Sequence, residues 1–291
     1  MVDVDFKTGK FIGVKFSECE DDIIRQNYGK LAYKEIKTIL DLKGFEKTYG
    51  QIQFRTKKLG LTTKGKGSNC NFSYIQGKRK VFFDENFFEI PNLINSYWAG
   101  FIAADGSINT DRFALSIQIS DKDYEHLNKF CCGIKFSGKI SRYVRKNGIA
   151  VCNANFRSRK LISDLEKWFN ITSKKTYNLK FPSNLSYECL KAFVVGYIDG
   201  DGHIGTIKAK KYPISFGLVS GSINFMKEFV KFCDKICFKY HYKRISKLSV
   251  DKKSFRYKRS NLPAFLILSE IGHLDVPKLN RKWDKLCKIK F

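Results

Sequence analysis

The chain has 291 residues and 43% of them are hydrophobic, enough for a core and too much for wholesale disorder. Lys and Arg number 54 against 28 Asp and Glu, a formal charge of +26 that calls for a polyanionic partner, nucleic acid before an acidic membrane surface. No apolar run reaches the roughly 20 residues of a membrane-spanning helix, and the first residues lack the apolar region of a secretion signal, so an intracellular location without membrane contact is expected.

Nine Cys, an odd number with no CxxC pair, argue against a disulfide scaffold and for reduced, mostly buried thiols. Cys233, Cys237 and His241 have the spacing of metal ligands on one helix face. The apolar Phe229, Val230 and Ile236 around them favour a core-facing stripe instead.

In chain order, Ser17 followed by Glu20 is a capping-box signature, and acidic residues crowd the first turn of the expected helix. A second helix is expected from about Tyr33 to Leu40, with Ile36, Ile39 and Leu40 inward, then a turn at Gly44. A third carries Gln51, Gln53, Arg55, Lys57 and Lys58. Three short helices, the first acidic and the last basic, suit a helix-turn-helix module over residues 1–62. Gln51, Gln53 and Arg55 could read base edges there, and Lys57 and Lys58 could hold phosphates. Residues 63–92 follow as a basic linker, rich in Gly, Ser, Asn and Lys at its start.

Beyond it, one pattern occurs twice. WAGFIAADG runs from Trp98 to Gly106 and VVGYIDGDG from Val194 to Gly202, 96 residues apart. Each is followed by an alternating hairpin, a helix, a second hairpin and a helix. In the first copy Phe113, Leu115, Ile117 and Ile119 alternate with Ala114, Ser116, Gln118 and Ser120, and Asn147-Gly148 marks the second turn. The reading is an α+β fold: a duplicated αββαββα domain, with halves at 93–185 and 186–291 related by a pseudo-twofold axis. Small residues four apart, Gly100/Ala104 and Gly196/Gly200, lie on one face of each motif helix and permit close packing. The two helices are then expected to pack on each other and to bring Asp105 and Asp201 together at their C-terminal ends. Paired carboxylates repel, and the dipole disfavours each, so a cation is expected between them. Oxygen ligands select a hard ion, Mg²⁺ with Mn²⁺ as a substitute. Two Asp holding metal beneath a basic surface are what phosphodiester hydrolysis needs.

The two motifs, at this spacing and with the repeated helix–hairpin order, resemble those of single-chain LAGLIDADG homing endonucleases over about residues 93–291. The stretch from Phe16 to Leu61 resembles Myb-like DNA-binding domains, with Phe16 where that family usually has Trp. The first resemblance implies metal binding by Asp105 and Asp201, and saddle-shaped antiparallel sheets lying in the major groove. It implies DNA contacts from the strands within 107–120, 138–157, 203–220 and 240–259. The candidates among their basic residues are Arg142, Arg145, Lys208, Lys210, Arg256 and Lys258. It also implies one Lys in each half near the scissile phosphates, for which Lys175 and Lys282 are the candidates, and a staggered double-strand break. Trp98 replaces the usual Leu, and Ala103 stands where a structural first Asp often is. The expected partner is double-stranded DNA with a long recognition site, bound by a monomer that requires no protein partner. The rival readings are an RNA-splicing maturase and a non-cleaving DNA-binding regulator on the same scaffold. His203 follows the second motif and reads as a bystander. The opening Met and the lack of splicing-domain residues favour a non-intein source, in a phage, organelle or microbial genome.

Overall fold

The computed structural model describes residues 15–61, 81–173, 175–209, 211–251 and 253–289. They form two compact units, one within 1–80 and one within 81–291.

The first unit holds α1 (Glu18–Asn27), α2 (Tyr33–Leu42) and α3 (Tyr49–Lys58). Each starts where a local donor is satisfied. Ser17 and Glu20 close a reciprocal capping box, as do Thr48 and Gln51. Ile23 and Ile24 of α1, Ile36 and Leu40 of α2 and Ile52 of α3 make one small core, with Phe16, Phe45 and Leu59 packed against it. Gly44 takes φ +80° in the turn between α2 and α3, which a side chain would strain.

The second unit runs α4 (Leu93–Asp105), β1 (Gly106–Asn109), β2 (Ala114–Ser120), α5 (Tyr124–Gly133), β3 (Ser141–Val144), β4 (Ala150–Arg157) and α6 (Arg159–Phe169). The short α7 (Lys175–Asn178) ends this half. The second half repeats the order with α8 (Tyr187–Asp201), β5 (Gly202–Thr206), β6 (Ile214–Ser220), α9 (Ile223–Lys239), β7 (Ser249–Asp251), β8 (Ser254–Ser260), α10 (Asn261–Gly272) and α11 (Asn280–Cys287). The two antiparallel sheets have matching strand orders, β1-β2-β4-β3 and β5-β6-β8-β7. The expected α+β class and duplicated αββαββα order are therefore both present. Leu115, Ile117 and Ile119 are buried, as the alternation of β2 requires. Phe113 departs from it. At φ +48° it leaves the strand and lies beneath the Arg159 guanidinium.

Residues 81–92, expected as part of the linker, belong to the second unit. Phe88 is wholly buried, Asp84 N donates to Ile134 O at 2.8 Å, and Trp168 Nε1 donates to Glu89 O at 2.9 Å. Their aromatic residues, not the basic composition upstream, decide this. Cys233 and Cys237 are buried in the core on α9, while His241 lies past its end at φ +59° and is exposed. Among the described residues no helix is long and apolar enough to cross a membrane.

The centre of the unit is the contact of α4 with α8. A Cβ at Gly100 would stand 1.9 Å from Phe193 O, and one at Gly196 would stand 1.9 Å from Tyr97 O. The contact is reciprocal, since Gly196 and Phe193 follow Gly100 and Tyr97 by the same 96 residues. Neither glycine tolerates a methyl unless the helices part, because the obstacle is backbone. Gly196→Ala is expected to cost roughly 3 kcal/mol, an overpacking penalty. The midpoint in thermal denaturation would fall by about 6–12 °C. An unchanged midpoint would contradict the close-contact account.

Candidate functional site

Asp105 is the last residue of α4, and Asp201 is the last of α8. The close helix contact brings these ends together. A Cβ on Gly200 would lie 2.3 Å from Ala104 Cβ and 3.3 Å from Asp105 Oδ2, so the Asp105 carboxylate sits over the end of the other motif helix. Both side chains reach solvent, with the protein packed behind them. Loss of hydration, and next the Asp201 charge, push the Asp105 carboxyl up to about 6. Burial raises Asp201 as well, against the opposing pull of Lys175 and Lys282.

The two candidate lysines occupy matching places. Lys175 Nζ donates to Ala103 O at 2.6 Å and Ala104 O at 2.7 Å. Lys282 Nζ donates to Ile198 O at 2.9 Å, Asp199 O at 2.6 Å and Gly202 O at 2.7 Å. Each lysine thus satisfies the free carbonyls at the end of one motif helix and places a cation at its negative pole. Burial lowers the pKa of both ammonium groups, and the neighbouring carboxylates oppose that shift.

The halves differ in how the lysine is held. Asp199, wholly buried, accepts from Tyr97 OH at 2.7 Å, Leu279 N at 2.9 Å and Trp283 Nε1 at 2.8 Å. Leu279 and Trp283 flank Lys282, so Asp199 fixes that segment. Tyr97 OH also lies 2.9 Å from His126 Nε2, and burial lowers that imidazole to about 4. The Tyr97 proton goes to Asp199, so neutral His126 supplies the other hydrogen. Ala103, the equivalent of Asp199 in the first motif, can do none of this. Arg281 reaches from the second half to the first, donating to both Asp123 oxygens at 2.8 and 2.7 Å. The sequence reading missed this bridge, because a spacing of 158 residues carries no local signal. A cavity of about 340 Å³ opens beside Asp105, lined among others by Gln118, Lys122, Arg145, Gly200 and Arg281.

Among the described residues no group of three or more His, Cys, Asp or Glu gathers into a metal-binding cluster. Asp105 and Asp201 are the donors available at the motif ends. Two carboxylates with room for water and phosphate oxygens fit Mg²⁺, which usually keeps several waters and takes one or two protein carboxylates.

The expected DNA-contacting residues fall into three groups. Lys57 and Lys58 of α3 are exposed and Gln53 is half-buried. Lys208, Arg256 and Lys258 are exposed as well, and Arg145 extends over the first sheet to Gln118. Three others have partners within the protein. Arg55 donates to Asp21 at 2.7 and 2.5 Å and lies over Phe16, Gln51 accepts from Thr48 N in the capping box, and Arg142 donates to Asp121 at 2.7 and 2.6 Å on the helix-facing side of its sheet. Each finds a partner within the protein that composition could not reveal. Lys210 lies outside the described residues. The outward face of the first sheet instead presents Ser116, Gln118, Asn153 and Asn155, the polar side of an alternation legible in β2 and β4.

No family model matches the chain. Over 130 residues it is 34% identical to a component of the A-type ATP synthase of Methanopyrus kandleri, a match covering 44% of this chain and 12% of that protein. The chain thus spans about an eighth of the curated relative it matches. Among solved structures it is similar to the LAGLIDADG meganuclease I-AabMI bound to uncleaved DNA (12% identity, 67% of this chain, 88% of that one, TM-score 0.41). It is also similar to full-length DUF199/WhiA from Thermatoga maritima (13%, 71%, 63%, TM-score 0.45). A third is the meganuclease I-SmaMI bound to uncleaveable DNA (15%, 68%, 88%, TM-score 0.40). The fold assignment rests on this chain's own strand order and helix pairing.

The raised Asp105 carboxyl has a consequence for stability. An acid whose pKa is higher in the fold than in the unfolded chain weakens the fold once ionised. The penalty grows from about pH 4 to about 6 and is complete above that. Asp105→Asn is therefore expected to raise the thermal midpoint in EDTA at pH 8, with the gain vanishing near pH 4. Added Mg²⁺ should stabilise the parent at pH 8 and leave the variant almost unmoved. Equal midpoints for both proteins throughout would refute the cost of ionising Asp105 in the fold.

Proposed function

We propose that the chain is a LAGLIDADG-type site-specific DNA endonuclease that makes a staggered double-strand break by metal-dependent phosphodiester hydrolysis. The observation that carries this reading is the pair Asp105 and Asp201, both retained at the ends of packed helices and each flanked by a lysine bound to helix-end carbonyls. A scaffold that only bound nucleic acid would have no use for two mutually repelling carboxylates. A bound divalent cation supplies acidified water and neutralises charge developing on the phosphodiester. Asp105 and Asp201 hold that cation. Lys175 and Lys282 hold positive charge against the carboxylates and brace the helix ends that carry them. The two sheets follow directly from these aspartates in sequence, so a duplex lying along their outward faces brings its backbone to the carboxylates.

The three-helix unit is proposed to be a helix-turn-helix module that adds a second DNA contact through α3. Its candidates are Lys57 and Lys58 with Gln53. A tethered second contact raises affinity without enlarging the cleavage unit.

Incubation with Mg²⁺ and a library of random duplexes, followed by sequencing of the cut ends, is expected to yield one staggered site. Asp105→Asn and Asp201→Asn should each retain binding and lose double-strand cleavage. Binding without any cutting by the parent would favour the non-cleaving regulator. Tight binding to structured RNA alone would favour the maturase. For the first unit, replacing Lys57 and Lys58 together with Ala should flatten the dependence of log affinity on log salt by about 2. An unaltered slope would remove α3 from the interface.

A further inference from the structure

The register of the two sheets allows the outward faces of the halves to be compared position by position. In the first sheet Ser107 pairs with Ser116, and Ser116 pairs with Asn155. In the second His203 pairs with Gly217, and Gly217 pairs with Lys258. Ser107 and His203 each follow the glycine after the motif aspartate. Asn155 and Lys258 are therefore equivalent under the pseudo-twofold relation, one outward row beyond the Gln118–Asn153 pair that borders Asp105. Both are exposed, and among the described residues neither side chain has a hydrogen-bond or ion-pair partner. The row that borders the carboxylates differs in the same sense. Gln118 and Asn153 pair in the first half, Val219 and Arg256 in the second.

In these two rows the first face thus offers carboxamides, with Arg145 reaching over to Gln118, and the second offers cations beside small or apolar residues. A carboxamide has both donor and acceptor, the pattern that matches adenine N7 and N6 in the major groove. An ammonium has donors only, the pattern that matches guanine O6 and N7. Building on the DNA-binding reading above, we propose that one position of the half-site under the first sheet is read as adenine by Asn155. Its counterpart under the second sheet is read as guanine by Lys258. Opposite Val219, the apolar surface fits a thymine methyl group. Asn153 already accepts from Ser116 Oγ at 2.9 Å, and Arg256 donates to Asp251 at 3.0 Å, so these two adjust on binding while Asn155 and Lys258 are free at the outset.

The test exchanges the two side chains in the full chain and measures base preference with a duplex library, by binding in Ca²⁺ and by cleavage in Mg²⁺. Asn155→Lys is expected to convert an adenine preference to guanine at one position of one half-site. Lys258→Asn should make the reverse change at one position of the other. Each conversion should move discrimination by roughly 5- to 150-fold, the range of a good bidentate contact. Both positions are exposed, so thermal midpoints should not move. A uniform change in affinity with unaltered preferences would mean phosphate contacts and would overturn the assignment while leaving the endonuclease reading intact. Binding by the parent without any sequence preference would overturn both.

Discussion

Everything in the larger unit depends on the backbone-to-backbone contact of the two motif helices. Gly100 and Gly196 leave no room for a methyl between the helix and the opposing carbonyl. That closeness is what forces the helix ends, and with them Asp105 and Asp201, into one another's field. The sheets begin at the next residue, Gly106 in one half and Gly202 in the other. The position of each outward face is therefore tied to the same contact. A wider helix pair would loosen the carboxylates and the sheets together.

The carboxylates and lysines form a balanced set. Each helix ends in a carboxylate that its own dipole disfavours, and each end is braced by a lysine on the free carbonyls. Burial, and next the charge of Asp201, leave Asp105 raised to about 6 although both lysines pull it down. A bound cation would relieve both costs. The halves are alike in this core and unlike in what surrounds it. Asp199 fastens the Lys282 segment, whereas Ala103 supplies no such bond and the Lys175 segment is tied through Ser173 and Leu179.

Much of this was legible in the sequence, for identifiable reasons. The motif helices, their glycine contact and the hairpins follow from repetition and hydrophobic period, whereas the pairing of β2 with β4 and of β6 with β8 joins strands across an intervening helix. Lys175 and Lys282 were placed through the family resemblance, and both lie at the motif ends. Arg55, Gln51 and Arg142 each have a partner inside the protein, and a basic composition looks the same whether its cations are free or paired. The packing of residues 81–92 was hidden for a related reason, since Phe88 matters only through what lies 81 residues further on, at Phe169. The Arg281–Asp123 bridge and the Asp199 network join distant parts of the chain, and only the folded arrangement brings them together.

The most direct test of the central claim is anomalous diffraction from crystals of the protein with its DNA, grown in Mn²⁺. The account predicts a manganese peak shared by the Asp105 and Asp201 carboxylates, lost in the Asp105→Asn, Asp201→Asn double variant. A peak elsewhere, or none at this pair in well-ordered crystals, would contradict it.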